Sequence, residues 1–346
     1  MSVTIEDVAK KAGVSKTTVS RYLNGKYEFM SKETKNRIEC VIDELEYVPN
    51  SMARSLKNQN SKIIGCTIAD IENQFSSFIF KGVSEVCKKH GYRVLVAEIN
   101  DNEDDEREAI ESLMSYNIDG LIINTTGSND EYLINLKKSN NIPIVLADRS
   151  IAENNVLDTV TSNNYEATYE CMKHLKKQNY TKVAFFTYDM TNNSVKIKRY
   201  EAYCHAMKKL FNLNPKDYTY ILKNKSLVNY DKALKDFIET NKNENIAIFT
   251  VNGVILLEVL KSLKKLNYDI EKDEIGICSF DDWGWAELID KKGITTISQK
   301  SYECGVKCAE LVFEGIEFPN KQVDYLEIPA KLIARGSTKK REVKKK

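Results

Sequence analysis

Histidine is nearly absent: the 346 residues hold three, His90, His174 and His205. Each falls in a stretch with helical apolar spacing, the first near its end. They read as surface or capping residues rather than a proton-transfer set. The eight cysteines are scattered, with no CxxC pair. Cys304 and Cys308 stand one helical turn apart, but no histidine lies near them in the sequence to complete a metal site. The expectation is reduced, mostly buried thiols in a cytoplasmic protein, with no metal and no cofactor. No apolar run approaches the roughly 18–20 residues of a membrane span, so no membrane partner is expected. The N-terminal stretch has no apolar signal core and carries Lys10, Lys11 and Lys16 instead. GxGxxG, P-loop, GxSxG and HExxH signatures are all missing, which argues against an enzyme. An excess of one charge is missing too: 51 Lys and Arg face 50 Asp and Glu, for a net charge of +1. No global field would draw the molecule to a polyanion, so any nucleic-acid contact must come from a local patch.

What is present is length enough for two or three domains, with 42% hydrophobic and 29% charged residues. The opening is the most informative stretch. Thr4-Ile5-Glu6-Asp7 has the form of a capping box, and Val8, Ala9 and Ala12 follow at helical spacing. Gly13 ends that helix. Ser15 reads as the N-cap of a second helix, with Val19 and Leu23 on its inner face and Asn24-Gly25 as its stop. A third helix begins at Ser31 and carries Ile38, Val41, Ile42 and Leu45. Three short helices therefore share one small core. Lys16, Thr17, Ser20 and Arg21 lie on the outer face of the second helix, near the turns where a helix in a major groove reads base edges. Residues 1–62 hold eleven Lys and Arg against eight Asp and Glu, a modest surplus. The alternative is a plain helical hairpin with a solvated face.

YVPNSMARSLKNQ follows at 47–59. Pro49 forces the chain out of the third helix. Asn50 can cap a short fourth helix bearing Met52, Ala53 and Leu56, too short to stand alone and with no core to join. It needs a second copy of itself, a DNA minor groove, or both. Leu56 would then wedge between base steps, with Ala53 small enough for close approach. The plainer reading is a linker with a stray leucine.

Together, IEDVAKKAGVSKTTVSRYLNG and YVPNSMARSL resemble the DNA-binding headpiece and hinge helix of the LacI/GalR family of bacterial repressors. The resemblance implies double-stranded operator DNA as a partner. It puts base-reading roles on Lys16, Thr17 and Arg21, a backbone contact on Asn24, and hinge contacts on Ala53, Leu56 and Lys57. Lys16 stands where a small or aromatic residue is more usual, which leaves the operator bases open.

From residue 62 strands alternate with helices. Strand-like runs at 63–70, 92–99, 120–125 and 143–148 make one doubly wound α/β unit, and runs at 182–188, 246–252 and 275–280 belong to a second. This organisation is similar to the type I periplasmic-binding-protein fold, two α/β lobes with a ligand between them. The expected plan is a headpiece at 1–48, a hinge at 49–61, and a core at 62–338 for effector binding and dimerisation. The first lobe is expected over about 62–160 and 293–322, and the second over about 161–292 and 323–338. A disordered basic tail is expected at 339–346.

Ligands of open parallel sheets sit beyond the strand C-termini. That rule selects residues 73–76, Asp148 with Arg149, residues 188–193, Asn252 and Asp281. The family resemblance marks the same regions. It implies effector contacts for Phe75 in DIENQF, Asp148 and Arg149 in LADRS, Arg199 in KIKRYEAY, Asn252 in TVN, Asp281 in SFDD and Gln299 in TTISQ. The alternative for each is a strand-end residue that caps the next helix or pairs across the lobes. Arginines near the cleft suit carboxylates. FDDWGWAELIDKKGITTISQ looks like the family branch that responds to keto-deoxy-gluconate; a neutral sugar or a nucleoside stays open. The expectation is a homodimer, or a tetramer, that represses carbohydrate-catabolism genes under control of a sugar or sugar acid. The alternatives are control by a protein co-regulator and, more remotely, a sugar-binding protein with no DNA role.

Overall fold

The computed structural model describes residues 3–28, 30–47, 60–152, 156–222, 227–270, 274–289 and 292–342, and divides into two compact units, 1–61 and 62–346.

Among its described residues the smaller unit carries three helices: α1 (Ile5–Ala12), α2 (Lys16–Leu23) and α3 (Lys32–Glu44). Local chemistry sets every start. Thr4 and Asp7 form a reciprocal capping box, the Asp7 carboxylate accepting from the Thr4 amide at 2.8 Å. Ser15 and Ser31 accept from the amides of Thr18 and Thr34, three residues on. Gly13, at φ +61°, ends α1 in the left-handed conformation that only glycine adopts without strain. The buried core is small: Val8, Ala9, Ala12, Val19, Ile38 and Val41. Asn50, Ala53, Leu56 and Lys57 lie outside the described residues.

The larger unit carries two six-stranded sheets. The first holds β1 (Ile63–Ile68), β2 (Arg93–Glu98), β3 (Gly120–Ile123), β4 (Ile144–Ala147), β5 (Asp158–Ser162) and β11 (Tyr325–Ile328), in the order β11-β5-β4-β3-β1-β2. The second holds β6 (Lys182–Tyr188), β7 (Thr219–Leu222), β8 (Ile246–Thr250), β9 (Gly276–Phe280), β10 (Thr295–Ser298) and β12 (Lys331–Ile333), in the order β12-β10-β9-β8-β6-β7. Among the described residues every pairing is parallel except β10 with β12. In the first lobe α4 (Gln74–Lys89), α5 (Glu103–Ser115) and α6 (Asp130–Ser139) connect the strands, and α11 (Ser301–Glu317) returns to pack on α4. The second lobe uses α7 (Asn164–Lys177), α8 (Ser194–Ala206), α9 (Leu227–Thr240) and α10 (Gly253–Lys265). Glycines set the α4–α11 crossing: a Cβ on Gly305 would sit 2.0 Å from the Ile79 carbonyl oxygen, and one on Gly82 2.3 Å from that of Tyr302. The apolar runs that read as inner strands, β1, β3, β4, β6, β8 and β9, are buried on both faces, as parallel strands under helices must be, whereas β2, at the sheet edge, leaves Val96 exposed.

Three features depart from the sequence expectation. β5, DTVTS, is a fully buried strand with a mostly polar sequence, which gives no apolar-run signal. The lobe boundaries also differ. β10 pairs with β9, so the chain stays in the second lobe through Ser298 rather than leaving it at 293. β11 pairs with β5, so residues up to Ile328 belong to the first lobe rather than crossing at 323. Finally, the tail is ordered through residue 342. Arg341 is 5% exposed, donates to the Tyr180 hydroxyl at 3.1 Å, and its carbonyl accepts from Asn179 at 2.7 Å. A cation that finds buried acceptors does not behave as a solvated tail.

Candidate DNA-reading face and effector cleft

In the smaller unit, α2 presents Lys16, Thr17 and Arg21 to solvent, with Ser20 half-buried. Lys16 pairs with Glu6 at 2.6 Å, an exposed contact that contributes little to stability and is easily exchanged. Asn24 is exposed, but its amide donates to the Ser20 carbonyl at 2.8 Å, closing the end of α2. The C-terminal strand ends of the larger unit are where its chemistry gathers.

A cleft of about 490 Å³ opens there, with residues of both lobes in its wall. Phe75, Asp148 and Arg149 come from the first lobe, and Tyr188, Lys196 and Asn252 from the second. A smaller recess of about 50 Å³ shares Phe75, Asp148 and Asn252 and adds Arg199, Asp281 and Gln299. The structure thus brings all seven expected residues to one place.

Arg199, 4% exposed on α8, is tightly held. Its Nε donates to Asn164 at 2.7 Å, one terminal nitrogen to the Val251 carbonyl at 2.7 Å, and the other to Gln299 at 2.9 Å. The guanidinium lies 3.6 Å from the centre of the Phe280 ring. Burial draws its pKa down to about 10, still charged at neutral pH. Gln299 sits where the chain passes from β10 to α11. Its carbonyl oxygen also accepts from Ser162 at 2.9 Å, and its amide donates to Asp281 at 2.6 Å. The other Asp281 oxygen accepts from the Gly253 amide, the first of α10, at 2.9 Å. Asn252 caps the same helix through Ile255 at 3.0 Å. One network therefore runs from Arg199 through Gln299 to Asp281, and on to the start of α10.

The first-lobe wall differs. Asp148 is 8% exposed, and its Oδ1 has no hydrogen-bond partner. Burial pushes its carboxyl up to about 6, against the pull of Arg199 and Arg149. Arg149 donates to Asp101 at 2.5 Å and to the Thr125 carbonyl at 2.9 Å. The rim between the lobes is closely apposed. Asn192 donates to Ser128 at 3.3 Å, the Ser150 amide to the Ser194 hydroxyl at 2.9 Å, and a Cβ on Gly127 would lie 1.7 Å from the Asn192 carbonyl oxygen.

Sequence reasoning passed over the ends of β2 and β3. Asn100, Asp101 and Asn124 line the cleft there. The strand-end rule that selected Asp148 and Asp281 would have found them, had it been applied to every strand. Asn164, which orients Arg199, follows the unrecognised strand β5 and had no such signal.

Residues 61–336 match the family described as periplasmic binding proteins and sugar binding domain of the LacI family, and residues 4–50 match the bacterial regulatory proteins of the lacI family. The HTH-type transcriptional regulator KdgR of Bacillus subtilis is 37% identical over 96% of this chain and 97% of its own length. PtxS of Pseudomonas putida, also an HTH-type transcriptional regulator, is 34% identical over 97% of this chain and 96% of its own. The lac repressor dimer bound to operator and the anti-inducer ONPF shares the fold, with a TM-score of 0.82 at 21% identity, covering 98% of this chain and 100% of that one. With both its DNA-binding and core segments matched, the chain belongs to the LacI family of DNA-binding transcriptional regulators, whose members are not enzymes.

Proposed function

We propose that the protein is a cytoplasmic, dimeric repressor of carbohydrate-catabolism genes, and that a sugar or sugar acid bound between the lobes releases it from its operator. The observation that carries the effector half of this reading is Asp148. Asp148 lines a polar cleft beside two arginines, and its buried carboxylate oxygen with no partner is costly unless a ligand hydroxyl satisfies it. Phe75 offers an apolar face for a sugar ring, and Asn252 and Asp281 offer polar edges opposite. Lys16, Thr17, Ser20 and Arg21 read bases, and Asn24 holds the backbone. Asn50, Ala53, Leu56 and Lys57 act in the hinge, with Leu56 as the wedge. A ligand can change the lobe angle only through contacts that differ between the open and closed forms. A cleft with wall residues from both lobes meets that condition, and a lobe rotation that separates paired hinge segments would melt them and lower operator affinity.

The test is a thermal-shift screen of sugars and sugar acids on the purified protein, followed by operator binding with each hit. The expected result is a ligand that raises the melting temperature and weakens operator binding. A ligand that stabilises the protein and tightens operator binding would reverse the sign of the switch. A screen with no hit would remove the effector.

A further inference from the structure

Loop 124–129, between β3 and α6, is held more firmly than a surface connection needs to be. Its anchor is Glu106 of α5, which is fully buried. The carboxylate accepts from the Thr126 hydroxyl at 2.5 Å, the Thr126 amide at 3.3 Å and the Asn129 side-chain amide at 2.9 Å. Arg107 donates to the carbonyl oxygen of the Asn129 side chain at 2.5 Å. Two small turns close inside the loop: the Gly127 amide donates to the Thr125 hydroxyl at 3.1 Å, and the Ser128 amide to the Thr126 hydroxyl at 3.3 Å. Burying a carboxylate costs free energy that an apolar side chain of the same size would not. What the carboxylate adds is a loop with one shape.

The second lobe presents a loop of the same kind between β6 and α8. There the Asp189 carboxylate accepts from the Thr191 amide at 3.0 Å and hydroxyl at 2.8 Å, and the Asn193 amide donates to the Met190 carbonyl at 3.0 Å. The two loops meet backbone to backbone. The three atoms nearest to a Cβ built on Gly127 all belong to Asn192, the carbonyl oxygen at 1.7 Å. A side chain can rotate out of a crowded contact, whereas a backbone held in a closed turn cannot.

We propose that loop 124–129 is a stop that fixes how far the two lobes close, and that Glu106, which lines neither cavity, is the positioning residue that keeps the stop rigid. The link to control of operator binding rests on the reading that a cleft effector favours the closed form. Gly127 sets the closed angle, because any Cβ there parts the rim by more than about 1 Å. Its backbone is left-handed, at φ +84°, so alanine is also strained there. That strain is common to the open and closed forms, so it lowers stability and leaves their ratio alone. Gly91 supplies the control. It follows α4 in the same lobe at φ +73°, and a Cβ on it meets nothing within 4 Å among the described residues.

The experiment is hydrogen exchange on the full chain without ligand. The Ser150 amide donates to Ser194 of the other lobe, so it exchanges when the rim parts. Gly127→Ala and Gly91→Ala should both melt a few degrees below the wild type. Only Gly127→Ala should speed exchange in the peptides that carry Ser150, by about tenfold or more. Glu106→Gln turns an amide group toward donors and loosens the stop, so in that background Gly127→Ala should speed exchange only about threefold. Equal exchange in the two glycine variants would overturn the stop. Effects of Glu106→Gln and Gly127→Ala that simply multiply would overturn the positioning role. Titration with glucose, gluconate and glucuronate then tests the link to the effector: a sugar that binds the wild type should bind Gly127→Ala about tenfold more weakly and Gly91→Ala equally well. Equal weakening in both would break that link. If none of the three binds while exchange behaves as expected, the stop stands and the effector reading fails for these sugars.

Discussion

Asp148 and Asp281 hold the same place in two lobes of like topology. Each follows the fourth strand of its lobe, each has left-handed backbone, at φ +70° and +73°, and each donates its amide to the neighbouring strand, to Val160 and Ile297. Their carboxylates nevertheless meet opposite fates. Asp281 accepts from the Gly253 amide and from Gln299, whereas Asp148 has a buried oxygen with no partner. The reason is the length of one connection. Only residues 251–252 separate β8 from α10, so the helix start lies beside Asp281. Residues 124–129 separate β3 from α6, which sets that helix back and puts Asp130 at its first position. The second-lobe wall is thus a finished network, and the first-lobe wall is left to be completed from outside.

The largest effect should come from the finished wall. Arg199→Met removes three hydrogen bonds and leaves the buried Asn164 and Val251 acceptors without this donor, while Gln299 keeps only Ser162. Breaking a buried charged network in this way costs about 3–5 kcal/mol. Urea unfolding of the variant should show a loss of that size whether or not effector is present. A loss under about 1 kcal/mol would mean that Arg199 is a pure ligand contact and the wall is not self-supporting.

The unfinished wall should respond in the opposite direction. Asp148→Asn removes a buried charge that burial disfavours more than Arg199 and Arg149 favour, and asparagine tolerates left-handed backbone. The free protein should gain about 1–3 kcal/mol at neutral pH, while effector affinity falls about tenfold or more. Thermal melts with and without ligand check both halves. A variant that is less stable than the wild type would show that Asp148 is satisfied in solution and that the contrast with Asp281 is false.

pH gives a gentler version of the same test. The Asp148 carboxyl stands at about 6 in the folded chain against an ordinary 3.8. A group raised on folding binds its proton more tightly when folded, so its contribution to stability falls as pH rises between those values and stays low above them. Asp148→Asn should flatten the pH dependence of melting between about pH 4 and 6. Effector whose hydroxyl donates to the ionised carboxylate should bind better as pH rises through about 6.

The two walls were not equally legible in the sequence. Asp281, Asn252 and Arg199 follow or flank long apolar runs, FTVN, CSFDD and a regular helix, and the strand-end rule finds them directly. What the sequence did not show is that these residues spend most of their hydrogen-bonding capacity on each other. Capping and ligand binding use the same residue types at the same positions, so only distances separate the two roles. The lobe boundaries failed for a related reason. Thr295–Ser298 and Tyr325–Ile328 are both short strands, and nothing local records which sheet each joins. The ordered tail was missed because KKRE reads as solvated by composition, while Arg341 finds Tyr180 and Asn179 only through the fold. The headpiece, in contrast, was legible nearly residue by residue. Its helix starts and its six-residue core are set by neighbours in sequence.

The smallest expected effect separates capping from recognition at Asn252. Its Oδ1 accepts from the Ile255 amide, which leaves its Nδ2 donors for the cleft. Serine keeps a cap oxygen at that position and supplies no amide donors. Asn252→Ser should therefore change the stability of the free protein by only a few tenths of a kcal/mol. Effector affinity should fall about fivefold to tenfold, the size of one lost hydrogen bond. Asn252→Ala removes both functions and should add a stability loss of about 1 kcal/mol. Titration and urea unfolding of the two variants side by side give four numbers, of which the serine pair decides. If Asn252→Ser binds effector as tightly as the wild type, Asn252 only caps α10, and recognition at the second-lobe wall falls to the groups around it. If Asn252→Ser loses stability as the alanine variant does, the cap depends on asparagine itself, and the division of labour within that side chain is wrong.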